Sequence, residues 1–126
     1  MITIGRLENI NIGCLHTQNL IAKIDTGAYN CSIGCEIQSV VGNCVTFRVN
    51  DKEYSYPIVR TKIVKNANSS SLRYFIELEA KLGGENGVYL FSLSDRSCLK
   101  HPVLIGRRFL SGKFLVDVSR TFMLGK

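Results

Sequence analysis

The sequence lacks the features that mark several common protein classes. It contains no internal repeat and no low-complexity tract, which argues against a solenoid or an array of small modules. No stretch is apolar for long enough to cross a bilayer, and the first residues have no apolar signal core. Walker-type phosphate loops and the His-Glu-x-x-His pattern of zinc peptidases are also absent. With a length of 126 residues, these absences predict one soluble domain over residues 1–126 that does not contact a membrane.

Cysteine occurs five times, an odd number, and no secretory signal accompanies it. Such a set favours reduced thiols over a disulfide framework, and we therefore expect a cytoplasmic protein. The cysteines are Cys14, Cys31, Cys35, Cys44 and Cys98.

Positive charge exceeds negative charge, since 16 lysines and arginines stand against 10 acidic residues and give a net charge of +6. A basic balance suggests an acidic partner, either nucleic acid or an acidic peptide. The cations are scattered along the chain, so composition alone does not choose between the two partners.

Most of the chain follows a period of two residues, which is typical of half-buried β-strands. Val45, Phe47 and Val49 alternate with polar residues, Asn50 and Asp51 supply a turn, and a second strand is expected over 53–59. The same alternation continues over 76–82, a glycine-rich turn covers 83–87, and a return strand covers 88–93. One or two closing strands are expected over 113–124.

One short segment near the C-terminus, residues 106–112, is bounded by glycines and predicts about two turns of helix. The small polar residues of 65–71 suit the exposed tip of a hairpin. The chain is therefore predicted to be all-β, with short strands in a closed or sandwich-like arrangement and one short C-terminal helix.

Asp25 stands at an unusual place, directly after the apolar strand-like stretch that ends at Ile24 and directly before Thr26 and Gly27. Aspartate at a strand end is commonly a turn former, and Asp-Thr-Gly alone is a weak signal. A buried lead-in strand, and a second distinctive stretch "HPVLIGRRFL" about 80 residues later, point instead to a functional carboxylate.

Several ordered motifs together resemble the retropepsin-like aspartic proteases. They are "IGRLENI", "IAKIDTGA", "SLSDR", "PVLIGRRFL" and "FLVDVSRTF", and they cover nearly the whole chain. The closest resemblance is to the small bacterial and phage group known as ATP-dependent zinc proteases, often encoded near ATP-grasp glutamate ligases. The resemblance implies a closed, β-barrel-like acid-protease lobe and an aspartic peptidase with a peptide or protein substrate.

The chemistry of that family uses two facing carboxylates that share one proton. Because this chain holds one Asp-Thr-Gly, the resemblance implies a symmetric homodimer with Asp25 from each subunit. It also implies that Thr26 hydrogen-bonds across the dimer, that Gly27 lets the substrate backbone approach, and that Ala28 completes the loop. The terminal stretches "MITI" and "VSRTFML" are expected to pair between subunits.

The resemblance assigns two further groups of residues. Gly106 and Arg107 are expected to pack behind the Asp25 loop as its support. Retroviral members place an acidic residue after Asp-Thr-Gly-Ala to pair with that arginine, whereas this chain has Tyr29 and Asn30, so Arg107 needs another partner.

The segment 65–71 would be a flap over the substrate. Four cations lie in or near this flap, and in a strand Arg60 and Lys62 share one face. They predict contacts with an acidic or glutamate-rich peptide. Nucleic acid is the less favoured partner, because the region lacks repeated aromatic platforms. The four cations are Arg60, Lys62, Lys65 and Arg73.

Two alternatives remain open. The same fold could serve as a non-catalytic peptide-binding module in which Asp25 shapes a loop. A zinc site could also be assembled from Cys31 and Cys35, spaced C-x3-C, with Cys44, His16 and His101. No second close pair completes that set, and small buried hydrophobes account for the cysteines better, so we expect no metal and no cofactor.

Overall fold

Short β-strands make up most of the chain, as the period-two patterns predict. The computed structural model describes residues 1–15, 17–65, 67–95 and 99–124. The strands found there are β1 (Ile2–Ile4), β2 (Leu7–Ile12), β3 (Thr17–Ile24), β4 (Cys31–Val41), β5 (Cys44–Val49), β6 (Lys52–Pro57), β7 (Arg60–Lys65), β8 (Ser70–Leu82), β9 (Glu85–Asp95), β10 (Val103–Ile105) and β11 (Phe114–Val116). A 3-10 turn covers Gly13–Leu15, and the helix α1 covers Arg107–Leu110. In the described ranges no helix is long and apolar enough to cross a membrane.

The main sheet closes on itself through one short strand. Its order is β10-β3-β2-β8-β9-β4, and β10 pairs parallel with β3 and antiparallel with β4, which completes a ring. Strands β5 and β6 extend from β4, and β7 pairs with β8 outside the ring. The predicted all-β lobe is therefore confirmed, although these branches prevent a clean barrel.

The ring surrounds the hydrophobic core. The inward face of β8 consists of Ile76, Leu78, Ala80 and Leu82, all buried as the sequence pattern predicts. The inward face of β5 is likewise buried at Val45, Phe47 and Val49. The hydrophobic effect of these strand faces, with the three largest buried rings Phe47, Phe91 and Phe109, stabilises the lobe.

Four predicted boundaries differ from the structure. The turn after β8 is the two residues Gly83 and Gly84, both with positive φ (55° and 86°), so β9 already begins at Glu85. Strand β6 ends at Pro57, before the predicted 59. The helix covers four residues rather than the seven of 106–112, and a single closing strand, β11, replaces the longer stretch predicted over 113–124.

The polar segment 65–71 connects an antiparallel hairpin, as predicted. Strands β7 and β8 pair from Arg60 opposite Phe75 to Lys65 opposite Ser70, and the side chains near the tip are exposed. Asn66, within the predicted tip, lies outside the described residues.

The chain ends meet within one chain. Strand β1 pairs in parallel with β11, with Ile2 opposite Phe114 and Ile4 opposite Val116. The predicted strand in "VSRTFML" is wrong, because described residues 118–124 form turns and irregular backbone. These residues return to the N-terminal strands of the same chain, where the N–H of Arg6 donates to the carbonyl of Arg120 at 2.8 Å.

Glu8 fastens this C-terminal segment from a fully buried position on β2. Its Oε2 accepts hydrogen bonds from the backbone N–H groups of Gly5, at 2.7 Å, and Met123, at 2.9 Å. Its Oε1 accepts one from Leu124 at 3.1 Å. Glu8 was not predicted from the sequence, although a charged residue at the same alternate positions as the inward Ile10 and Ile12 is a signal that could have identified it.

We expect Glu8→Ala to lower the free energy of unfolding by about 3 kcal/mol, because it leaves three backbone donors without their acceptor. Urea unfolding followed by circular dichroism measures the change. Glu77→Ala, which removes an exposed glutamate from β8, is the matched control and should change stability by less than about 0.5 kcal/mol. Equal effects of the two substitutions would contradict the anchoring role of Glu8.

Candidate active site

Asp25 lies at the end of β3, where the chain leaves the ring. Its backbone N–H donates to the carbonyl of Ile105 at 2.9 Å, so the strand pairing of β3 with β10 continues up to this residue. The half-buried side chain of Asp25 is followed by exposed Thr26 and Gly27. A buried strand therefore fixes the backbone of a carboxylate that remains accessible.

One carboxylate oxygen of Asp25 shapes its own loop. Oδ1 accepts the N–H of Gly27 at 2.9 Å, and the carbonyl of Asp25 accepts the N–H of Ala28 at 3.2 Å. This is the geometry of an Asx turn. Oδ2 has no protein hydrogen-bond partner within the described residues and is available to water or a substrate.

The first residues of α1 hydrogen-bond to the backbone of the Asp25 loop and support it. The N–H groups of Arg107 and Arg108 donate to the carbonyls of Ala28 and Tyr29 at 2.8 and 2.9 Å. A Cβ placed on Gly106 would lie 2.5 Å from the carbonyl oxygen of Asn30, which no carbon atom can tolerate. The backbone of the two segments can approach this closely because position 106 is glycine.

Arg107 finds a partner other than an acidic side chain. Its Nη1 donates to the carbonyl of Thr26 at 3.0 Å, and its guanidinium lies 5.8 Å from the ring centroid of Tyr29. A backbone acceptor and an aromatic face thus take the place of the carboxylate that retroviral members supply.

A cavity of about 770 Å³ lies between the Asp25 loop and the β7–β8 hairpin. Ala28, Tyr29 and Asn30 line it on the loop side. Lys62 and Arg73, which are directly opposite each other in the hairpin, line it on the other side. Oδ1 of Asn30 is buried and has no hydrogen-bond partner in the described structure, so an acceptor is available there.

Three buried serines form a further wall of this cavity. The hydroxyl of Ser92 donates to that of Ser32 at 3.0 Å, and the hydroxyls of Ser32 and Ser94 lie 2.5 Å apart. Sequence reasoning missed them, although polar residues at alternate positions of an otherwise apolar strand, as in "FSLSD", were a usable signal. Asp95, in the same stretch, also lines the cavity.

The structure separates the four candidate flap cations. Lys62 and Arg73 line the cavity beside the Asp25 loop. Lys65 pairs with Ser70 and is three residues from Lys62 in the same strand. Because side chains alternate between the two faces of a strand, Lys65 lies on the face of the hairpin opposite Lys62. Arg60 shares the face of Lys62, as predicted, but lies over the ring of Phe75 and lines a different cavity.

The cysteines do not support the zinc alternative. Cys31 and Cys35 are four residues apart in one strand, roughly 13 Å, whereas zinc bonds of about 2.3 Å need neighbouring sulfurs. Among the described residues, no three His, Cys, Asp or Glu side chains are grouped for a metal. His101 lines a small cavity beside Pro102. Cys44 is exposed, and His16, the remaining residue of the predicted set, lies outside the described residues.

Comparisons with known proteins agree with this architecture. A family model described as "RimB-like: Retropepsin-like aspartic endopeptidase RimB" matches residues 3–126. A crystal structure of a Legionella pneumophila protein with "unknown function (DUF785)" has a TM-score of 0.78, 24% sequence identity and 98% coverage of both chains. That likeness shows a shared fold.

A curated protein of Shewanella pealeana, named "Probable alpha-L-glutamate ligase", is 34% identical over 70 residues. The matched segment is 55% of this chain but 15% of that protein, so the chain spans a small part of its curated relative.

We expect Cys31 and Cys35 to resist alkylation at pH 8 while Cys44 reacts. Burial raises the pKa of the Cys31 thiol to about 11 and that of Cys35 to about 12, and Cys44 is exposed. The reactive thiolate of the two buried residues therefore appears well above pH 8. Peptide mapping by mass spectrometry after iodoacetamide treatment measures each site, with urea-unfolded protein as control. Rapid labelling of Cys31 in folded protein would contradict its buried environment.

Proposed function

The chain belongs to the RimB-like family of retropepsin-like aspartic endopeptidases, and from this premise we propose that it hydrolyses peptide bonds as a symmetric homodimer. Each subunit contributes one Asp25. The two carboxylates share a proton, the ionised one takes a proton from the attacking water, and the protonated one donates to the scissile carbonyl.

The observation that carries this proposal is the state of the Asp25 carboxylate. The end of β3 and the hydrogen bonds from α1 position the loop that carries Asp25. Oδ1 accepts the N–H of Gly27, and Oδ2 has no protein hydrogen-bond partner in the described ranges. The carboxylate is fixed and accessible, as general acid–base catalysis requires. Asp25 does not itself line the cavity of about 770 Å³, but Ala28, Tyr29 and Asn30 of its loop do, so a peptide bound there would pass close to the carboxylate. Thr26 is exposed, so in the proposed dimer its hydroxyl would be free to hydrogen-bond with the partner subunit.

Exposed apolar side chains on the β1–β11 sheet support the dimer. Leu115 is 53% exposed on the face opposite the buried Ile4 and Phe114, Ile2 is 48% exposed at the edge of the other face, and Met1 and Val118 are exposed beside the two strands. Within the described residues, β1 and β11 pair with each other and with no other strand, so their outer edges are open. A second copy of the chain would cover both the apolar side chains and the open edges.

We expect Asp25→Asn to lower kcat by at least about 100-fold. We also expect the variant subunits to inhibit the wild-type protein by forming inactive mixed dimers with it. Asparagine keeps an oxygen for the Asx turn, so the loop should persist. When wild-type subunits exchange with a ninefold excess of the variant, random pairing leaves about one tenth of the activity per wild-type chain. Peptide cleavage measured during subunit exchange tests both the residue and the dimer.

The control for this experiment is Leu115→Asp, which places a charge on the exposed apolar face of β11 and should prevent dimer formation. Its subunits should stay monomeric in sedimentation and should not inhibit the wild type when they also carry Asp25→Asn. Full wild-type activity in the presence of excess Asp25→Asn would contradict a shared active site.

We further propose that the substrate is an acidic, glutamate-rich peptide. Lys62 and Arg73 place two positive charges in the cavity, and the dimer would double them. The printed name of the Shewanella pealeana relative refers to glutamate ligation, which is an association in the same direction. Nucleic acid is the less favoured partner because the hairpin lacks the repeated aromatic platforms that single-strand binders use. The odd set of cysteines fits a reducing, cytoplasmic setting.

We expect Lys62→Glu or Arg73→Glu to abolish a preference for acidic substrates. In the wild type, kcat/KM should be higher for a glutamate-rich peptide than for a neutral apolar one and should fall with added salt. Lys65→Glu, on the opposite face of the same hairpin, is the matched control and should retain most of the preference. A preference for the neutral peptide that is indifferent to salt would overturn the acidic substrate and leave the aspartic mechanism standing.

A non-catalytic binding module on the same fold is the second candidate. The Asx turn favours it, because Asp25 has a structural role that needs no turnover. In that case wild type and Asp25→Asn would bind peptide equally and neither would cleave it.

A further inference from the structure

A second cavity, of about 410 Å³, lies outside the candidate active site and contains two arginines. Arg60 comes from the start of β7 and Arg108 from α1, and Glu77 and Tyr89 also line the cavity. Its volume is within the range of about 300–1,000 Å³ that is usual for ligand sites. The proposed catalytic mechanism uses none of these side chains.

Aromatic rings hold both arginines without using their hydrogen-bond donors. The guanidinium of Arg60 lies 5.5 Å from the ring centroid of Phe75, and that of Arg108 lies 5.7 Å from the ring centroid of Tyr29. In the described part of the chain, neither guanidinium has a hydrogen bond or an ion pair. A stacked guanidinium with free N–H groups is pre-organised for a carboxylate, which it can bind with two parallel hydrogen bonds.

The same two rings belong to the first cavity. Both Tyr29 and Phe75 line the first cavity, and each ring carries an arginine that lines the second. One face of β8 also runs from one cavity to the other, since Arg73 and Phe75 line the first and Glu77 lines the second. A chain that leaves the first cavity past either ring therefore meets a free guanidinium.

We propose that the second cavity is an exosite that binds carboxylates of an acidic peptide segment lying beside the segment in the first cavity. This deepens the proposed function and rests on it in taking an acidic polypeptide as the ligand. Arg60 and Arg108 each bind one carboxylate of the peptide. Glu77 repels any further carboxylate that comes close to these two. The site adds affinity and register for substrates whose acidic block continues beyond the cleaved bond.

A peptide fits this cavity better than a nucleic acid. Val59 and Val88, both exposed, give it an apolar wall, and Glu77 adds a negative charge. A row of evenly spaced phosphates would bring negative charge against Glu77, whereas a peptide can place an uncharged residue there and its carboxylates on the two arginines.

The test measures binding, so that it does not depend on turnover. Fluorescence anisotropy on the Asp25→Asn protein compares a neutral extended peptide with the same peptide carrying four glutamates at its N-terminal or its C-terminal end. One of the acidic peptides should bind more tightly than the neutral one. The double variant Arg60→Gln/Arg108→Gln should weaken that peptide by roughly tenfold or more, and Glu77→Gln should tighten it a few-fold.

Arg48→Gln/Lys81→Gln is the matched control, because it removes two cations elsewhere on the surface, and its affinity should stay within about twofold of the parent protein. Thermal unfolding of every variant checks that the fold is retained. Equal binding of the acidic peptide by the parent and the Arg60→Gln/Arg108→Gln protein overturns the exosite. So does tighter binding of a single-stranded oligonucleotide of equal charge through the same arginines. Failure of the wild type to cleave any peptide would overturn the proposed function without moving these affinities.

Discussion

The close backbone contact between Gly106 and the loop that follows Asp25 is the constraint on which the candidate site depends. With no Cβ at position 106, α1 approaches near enough for its first N–H groups to bond the carbonyls of Ala28 and Tyr29. Arg107 then reaches the carbonyl of Thr26. Because β10 leads into α1 and also pairs with β3, the same few residues close the sheet ring and hold the candidate catalytic loop.

The ring of Tyr29 contacts both arginines at the start of α1. In place of a carboxylate that would neutralise Arg107, the chain has an aromatic ring with two guanidinium groups against it, those of Arg107 and Arg108. An ion pair with a carboxylate would neutralise the guanidinium charge, whereas stacking on a ring leaves that charge available to a ligand. The loop is therefore supported in a way that leaves the positive charge of Arg108 beside the second cavity.

Period-two patterns predicted the strands, their inward faces and the β7–β8 hairpin, because alternation of apolar residues reports directly which side of a strand is buried. Strand and helix ends were predicted less well. The positive φ at Gly83 and Gly84 and the backbone hydrogen bonds at α1 depend on local geometry that the alternation of apolar residues does not report. Glu8 and the serines of β4 and β9 were not predicted, because most of their hydrogen-bond partners lie 60 or more residues away in the sequence.

The sequence by itself determined the all-β class, the position of Asp25 at a strand end and the family motifs, since each of these depends on residues close together in the chain. The tertiary structure decided which charges act together. Arg60, Lys62, Lys65 and Arg73 are near one another in sequence, but strand register assigns Lys65 to the other face, and an aromatic ring directs Arg60 to a second cavity beside Arg108. Pairing across strands, and not distance along the chain, determines which side chains share a cavity.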